Sequence, residues 1–256
     1  MEIVIQPTLE AAIGLFARLL GKVIREKPAA VLGLATGDTM EGLYRALVAS
    51  QSDWGGITTF NLDEYVGLPL EHPQSSHHFM QEHLLRHLNV PPRSVNFPDG
   101  LAKNIPAECE AYERKIFAAG GIDLQLVGIG PGGQIGFNEP TSSLASRTRI
   151  KTLTLQRRKD KARFFGGEEQ VPRHVITLGI GNILASRQCV MLAFGVRKAK
   201  AVAGAVEGPI TSMNPASALQ LHPKATVFLD EAAAADLSLG EYYRWVHDQK
   251  PDWQKI

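Results

Sequence analysis

"LGLATGDTMEGLY", residues 32–44, passes from an apolar run to helical spacing across a Thr36-Gly37 turn. A strand that feeds a helix through so short a turn is the repeating unit of a parallel α/β sheet. The same turn aims free backbone N–H groups and the positive end of the helix at one point, which suits a phosphate. Ordinary N-capping by Asp38 or Thr39 explains these residues equally well. A carboxylate about 5 Å from a phosphate charge costs roughly 3 kcal/mol at an effective dielectric near 20. On the phosphate reading, Asp38 is therefore expected to point away and cap the helix.

Outward from this stretch, strand-like apolar runs occupy residues 29–35, 57–61, 123–129, 174–180, 189–194 and 225–229. Helical spacing fills residues 10–25, 40–48, 76–88, 106–118 and 198–206. Such alternation predicts a mainly parallel sheet covered on both faces. A chain of 256 residues fits one large domain, and no linker or repeat divides it. The alanine run at 232–235 is expected to be a short helix. The aromatic segment "SLGEYYRWVHDQKPDWQKI" is expected to dock on the domain or on a neighbouring subunit, with residues 241–256 as a helical extension.

Net charge is +1, which gives no electrostatic argument for nucleic acid or an anionic membrane. Two isolated cysteines, Cys109 and Cys189, suit neither a disulfide framework nor a zinc site and suggest a reducing compartment. "MEIVIQ" has no basic start and no run reaches membrane-spanning length, so a soluble cytoplasmic protein is expected. His72, His77, His78 and His83 show no ligand spacing such as HExxH, which argues against a metal.

In open parallel sheets ligands bind beyond the carboxyl ends of the strands. Four unusual loops fall there: "TGDT" at 36–39, "LDEY" at 62–65, "VGIGPGGQIGFNEP" at 127–140 and "GVRK" at 195–198. They are expected to share one cleft. Asp63 and Glu64 sit where a strand gives way to a loop, and one of them can serve as a general base or both can be solvated turn acids. Gly128, Gly130 and Gly133 match GxGxxG, but residues 137–140 break any helix and no acid lies near position 148. These glycines suit the floor of a small-ligand site, with Glu139 on the far side. Arg147, Arg149 and Lys151 alternate along one strand face, with Ser142 and Ser143 upstream. A second anion site and a charge-protected edge strand both account for them. Arg163 and Lys198 are the cations expected at the first phosphate.

The stretches "TFNLDEYVGLP", "GFNEPTSSLASRTRIKTLT", "ARFF" and "ASALQLHPKATVFLDE" resemble the glucosamine-6-phosphate deaminases (isomerases) over most of the chain. The resemblance implies a Rossmann-like three-layer α/β/α fold and, without metal or organic cofactor, conversion of glucosamine 6-phosphate and water to fructose 6-phosphate and ammonia in amino-sugar catabolism. It implies Asp63 as the base that moves the proton between C2 and C1. Glu139 assists catalysis on this reading, and Thr36, Gly37, Asp38, Thr39, Arg163 and Lys198 surround the substrate phosphate. Ser142, Ser143, Arg149 and Lys151 match an allosteric site that binds N-acetylglucosamine 6-phosphate in hexameric members, which implies a homo-oligomer. Tyr242 or Tyr243 matches its tyrosine. Two departures stand in the catalytic loop. Gly132 replaces an Asp or Asn, and Gln134 replaces the His that opens the sugar ring. Asp38 and Met40 depart in the first loop. A ring-opening-impaired sugar-phosphate binder and a deaminase for galactosamine 6-phosphate are the alternative readings.

Overall fold

The computed structural model describes residues 1–254. Seven parallel strands make the main sheet: β1 (Glu2–Gln6), β2 (Val31–Leu34), β3 (Thr58–Asn61), β5 (Val95–Asn96), β6 (Leu124–Gly128), β9 (Gln188–Ala193) and β10 (Ala225–Asp230). Their order is β1-β10-β9-β6-β2-β3-β5. Every strand but the two-residue edge strand β5 is mostly buried, as the continuous apolar runs predict for a sheet covered on both faces. Helices α1 (Leu9–Glu26), α2 (Asp38–Ala49), α4 (Ile105–Ala118) and α7 (Ala199–Val206) flank it. One buried cluster joins them, with Phe16 of α1 set edge-on against Phe228 of β10 at 5.7 Å.

From β2 the chain runs outward to β3 and β5, then returns to β6 on the other side of β2. That reversal is a topological switch point, and it places the carboxyl ends of β2 and β6 side by side. Gly128 at the end of β6 faces Met40 of α2, so the "TGDT" turn and the Gly-rich loop adjoin. Met40 is fully buried there.

Two expectations change. The run at 174–180 supplies β8 (His174–Thr177), which lies outside the parallel sheet. It is the middle strand of a second, antiparallel sheet, between β4 (Asp63–Tyr65) and β7 (Arg149–Thr152). Asp63 and Glu64 therefore belong to a strand and not to a solvated loop. Leu62 joins the two sheets: its N–H donates to the Leu34 carbonyl at 2.8 Å and its carbonyl accepts from Leu178 at 2.9 Å.

The alanine run at 232–235 forms successive turns in place of the expected helix. Asp230 accounts for this, because its carboxylate accepts the Ala233 N–H at 2.8 Å and also takes the Gly195 N–H. The carboxy-terminal segment docks on its own chain: α8 (Gly240–Asp248) packs along β1, and Lys250 pairs with Glu2. The last two residues of the expected extension lie outside the described ones. No described helix is long and apolar enough to cross a membrane.

Candidate active site

Alternation along β4 sends Asp63 and Glu64 to opposite faces, and their surroundings differ accordingly. Glu64 is wholly buried, and its carboxylate accepts the N–H groups of Tyr65, Ser76 and His77 at 2.8, 3.0 and 2.9 Å. The last two are orphan donors of the first turn of α3 (Ser76–His83), so Glu64 anchors that helix. Asp63 has one side-chain partner, the Ser76 hydroxyl at 3.2 Å. Burial and the neighbouring Glu64 push its pKa up to about 7, against the pull of Ser76, Arg157 and Lys161. A carboxylate with free lone pairs that changes charge near neutrality is suited to moving a proton. Of the two acids, Asp63 has the freedom and Glu64 the structural duty.

Cross-strand register carries Asp63 into a row. It pairs with Thr177 of β8, which pairs with Arg149 of β7, so the three residues share one sheet face. At the usual strand spacing Arg149 lies about 10 Å from Asp63, backbone to backbone. Tyr65, Val175 and Lys151 form the next row on that face. The Thr177 hydroxyl also accepts the Phe137 N–H at 3.3 Å, which fastens the Gly-rich loop beside Asp63.

At the "TGDT" turn Gly37 is the N-cap of α2, with φ 121°, and no side chain caps the helix. This corrects the capping expected of Asp38 or Thr39. Asp38 is instead the first helical residue, where the dipole favours an acid, and it raises the pKa of Lys198. Burial and the cations Arg197 and Arg157 pull Lys198 the other way, below the usual lysine range. An uncapped helix N-terminus beside a half-buried lysine is a receptive place for an anion.

Arg163 is the α-helical cation expected at the substrate phosphate. It is exposed on α5 (Leu155–Phe165), and its guanidinium lies 4.5 Å from the centre of the Phe164 ring. Arg157 and Lys161, at i and i+4, are the α5 cations that act on Asp63. Neither was expected at the site, although the i, i+4 spacing of "RRKDK" was visible. Arg157 Nε lies 2.6 Å from Glu139 Oε1.

In the Gly-rich loop the Gln134 side chain folds across Gly130, and its Oε1 accepts the Gly132 N–H at 2.9 Å. Gln134 and Gly132, expected as catalytic positions, thus engage each other. Gly133 has φ 79°, and a Cβ there would lie 2.2 Å from Asn214 Oδ1 and 3.1 Å from the Asn214 backbone. We expect Gly133→Ala to destabilise the protein by about 2 kcal/mol or more. The urea midpoint would measure this, and an unchanged midpoint would mean that the loop relaxes freely.

The proposed second-anion residues divide. Ser142 is buried with a hydroxyl that lacks a partner, whereas the Ser143 hydroxyl accepts the Ala145 N–H at 3.2 Å. Arg149 and Lys151 share the inner face of β7, but Arg147 leaves it and pairs with Glu113 of α4 at 2.7 Å. Tyr242 is exposed, and Tyr243 is half-buried, where burial and the neighbouring Glu207 charge push its phenol up. Two of the four histidines weighed as metal ligands pack against aromatic rings: His72 stacks on Phe165, and His77 of α3 meets Phe97 edge-on.

The profile of the glucosamine-6-phosphate isomerase/6-phosphogluconolactonase family matches residues 6–228. A glucosamine-6-phosphate deaminase of Streptomyces coelicolor is 53% identical over the full length of both chains. This chain belongs to the glucosamine-6-phosphate deaminase family. The deaminase of Streptomyces avermitilis is 52% identical, again over both full lengths. A solved structure described as a monomeric glucosamine-6-phosphate deaminase is 42% identical, with a TM-score of 0.89 over 92% of this chain and 100% of that one. The 6-phosphogluconolactonase of Thermotoga maritima shares the fold, with a TM-score of 0.72 at 21% identity over 90% of this chain and 98% of its own.

Proposed function

We propose that the cleft at the switch point carries out the deaminase reaction with Asp63 as its base. The chain is a glucosamine-6-phosphate deaminase enzyme of amino-sugar metabolism. It converts glucosamine 6-phosphate and water to fructose 6-phosphate and ammonia.

In the opened sugar the C2 proton is acidified by the adjacent aldehyde. The Asp63 carboxylate takes that proton, leaving an enolamine, and returns it to C1. The resulting C2 imine adds water and releases ammonia. What supports this assignment is the contrast within β4: Glu64 is consumed by three backbone N–H groups, while Asp63 keeps its lone pairs and faces two cations. The substrate phosphate is assigned to the open turn at Thr36, Gly37, Asp38 and Thr39, with Lys198 beside it. Glu139 stands across the cleft on the Gly-rich loop. On this reading residues 1–256 act as one catalytic domain, and the free, buried Cys109 and Cys189 suit a cytoplasmic setting. Ammonia release from glucosamine 6-phosphate by the purified protein tests the assignment. No release at high enzyme concentration would leave a sugar-phosphate binder, the reading that the Gln134–Gly132 bond favours.

A homo-oligomer with an N-acetylglucosamine 6-phosphate effector is the finer reading, carried by Ser142, Ser143, Arg149 and Lys151. Against it stand the local engagement of Ser143 and the monomeric state described for the 42% identical relative. Sedimentation with and without that sugar phosphate decides the matter. A species of 27.9 kDa under both conditions removes the interface site, and a multiple of that mass supports it.

A further inference from the structure

Neither the resemblance nor the expected phosphate set includes Arg157, yet it is bound more closely to the cleft than Arg163. Its three contacts all go to the Gly-rich loop. Nε lies 2.6 Å from Glu139 Oε1, Nη2 donates to the Gly136 carbonyl at 3.3 Å, and the guanidinium sits 4.5 Å from the centre of the Phe137 ring. Two edges and one face of the fork are thereby used before any substrate arrives. Phe137 is itself packed edge-on against Tyr65 at 5.9 Å, and Tyr65 stands on the same sheet face as Asp63.

The Glu139 contact is close but off the line of a hydrogen bond, so Glu139 Oε1 is buried without a directed donor. A carboxylate held this way by a guanidinium retains a lone pair for another partner. Asp63 is faced by Glu64 on its own strand, by Arg157 and Lys161 from α5, and by the hydroxyl of Ser76. The phenols of Tyr44, Tyr65 and Tyr112 also feel its charge. Gln134 contributes no charge to this group and is turned onto the Gly132 N–H.

We propose that Arg157 is a positioning residue for the deaminase reaction, fixing the Glu139 carboxylate and the Gly-rich loop in place beside Asp63. The inference rests on the reading of Asp63 as the base.

The test uses the full-length protein with Arg157→Gln and Arg157→Lys. Steady-state kinetics on glucosamine 6-phosphate across pH are paired with carbon-13 NMR titration of the aspartate carboxyls, the Asp63 signal being identified by its loss in Asp63→Asn. For Arg157→Gln, kcat should fall by about 10- to 100-fold with KM within about threefold. The acidic limb of kcat and the Asp63 titration should both move to higher pH. Arg157→Lys should return the titration toward the wild-type position while recovering only part of kcat, because an ammonium lacks the fork. If Arg157→Gln does not fold, that divergence in the lysine variant carries the test. A tenfold rise in KM with kcat and titration unchanged would make Arg157 a phosphate ligand and overturn the proposal. Unchanged kcat, KM and titration would overturn it equally. A wild-type protein that releases no ammonia, with the Asp63 titration still moved in Arg157→Gln, would sink the deaminase reading and leave the electrostatic role of Arg157 standing.

Discussion

Asp63→Asn is expected to lower kcat for ammonia release by about 10²- to 10⁴-fold and, above neutral pH, to make the fold more resistant to heat. The loss of rate follows from removing a buried acid whose lone pairs, unlike those of Glu64, are not consumed by backbone donors. The gain in stability follows from linkage. The folded-state pKa of Asp63 is raised from 3.8 to about 7, so between those values the native state holds a proton that the unfolded chain has released. Native stability therefore falls as pH climbs through that window, and the loss is complete above about 7. Asparagine carries no such loss. Thermal melts at pH 5 and pH 8 should show the variant gaining on the wild type at the higher pH, while kcat of the wild type rises with pH toward neutrality. Appreciable turnover by Asp63→Asn would remove Asp63 as the base. Loss of turnover together with a collapsed melting temperature would make its role structural.

Gln134→His combined with Gly132→Asp is expected to raise kcat by up to about 10²-fold, with little change in KM. A glutamine amide bonds to its surroundings but does not exchange a proton near neutral pH, whereas an imidazole does. The loop has room for the change. Gly130 leaves the space that the Gln134 amide fills, and a Cβ at Gly132 would crowd only Gln134 Oε1, at 3.1 Å, an atom that the first substitution removes. The new imidazole has to give up the Gly132 N–H bond, and an aspartate at 132 offers it an acceptor in return. Kinetics started from the open-chain and cyclic forms would separate ring opening from isomerisation. An unchanged rate in the double variant would mean that ring opening does not limit turnover and that the Arg157–Glu139 pair already serves the step. Under those conditions Gln134 is a tolerated substitution.

The main sheet was legible because its strands are buried on both faces, and complete burial leaves a continuous apolar run in any chain. The run at 174–180 carries the same signature, yet it pairs with β4 and β7. Which strand lies beside another is a contact between distant residues, and an apolar run does not record it. Helix α5 left no periodic trace, since only Phe165 of its eleven residues is buried. Its position is set by Thr154, whose hydroxyl caps it, and by the ties of Arg157 to the loop. Strand β5 spans two residues, too short for any pattern.

The sequence by itself determined the parallel α/β order, the loops that meet at the switch point and the family likeness, because each depends on short-range patterns or on whole motifs. Asp63 was visible there as one of two acids. The family likeness singled it out, and the tertiary structure supplied the physical reason, since strand alternation buries both while the orphan donors of α3 reach Glu64 alone. The tertiary structure also set Arg157 against the Gly-rich loop, because helical rotation decides which side of a charge-rich segment meets it. The field at Asp63 is the sum of burial and charges drawn from β4 and α5, and that sum exists only once the chain has folded.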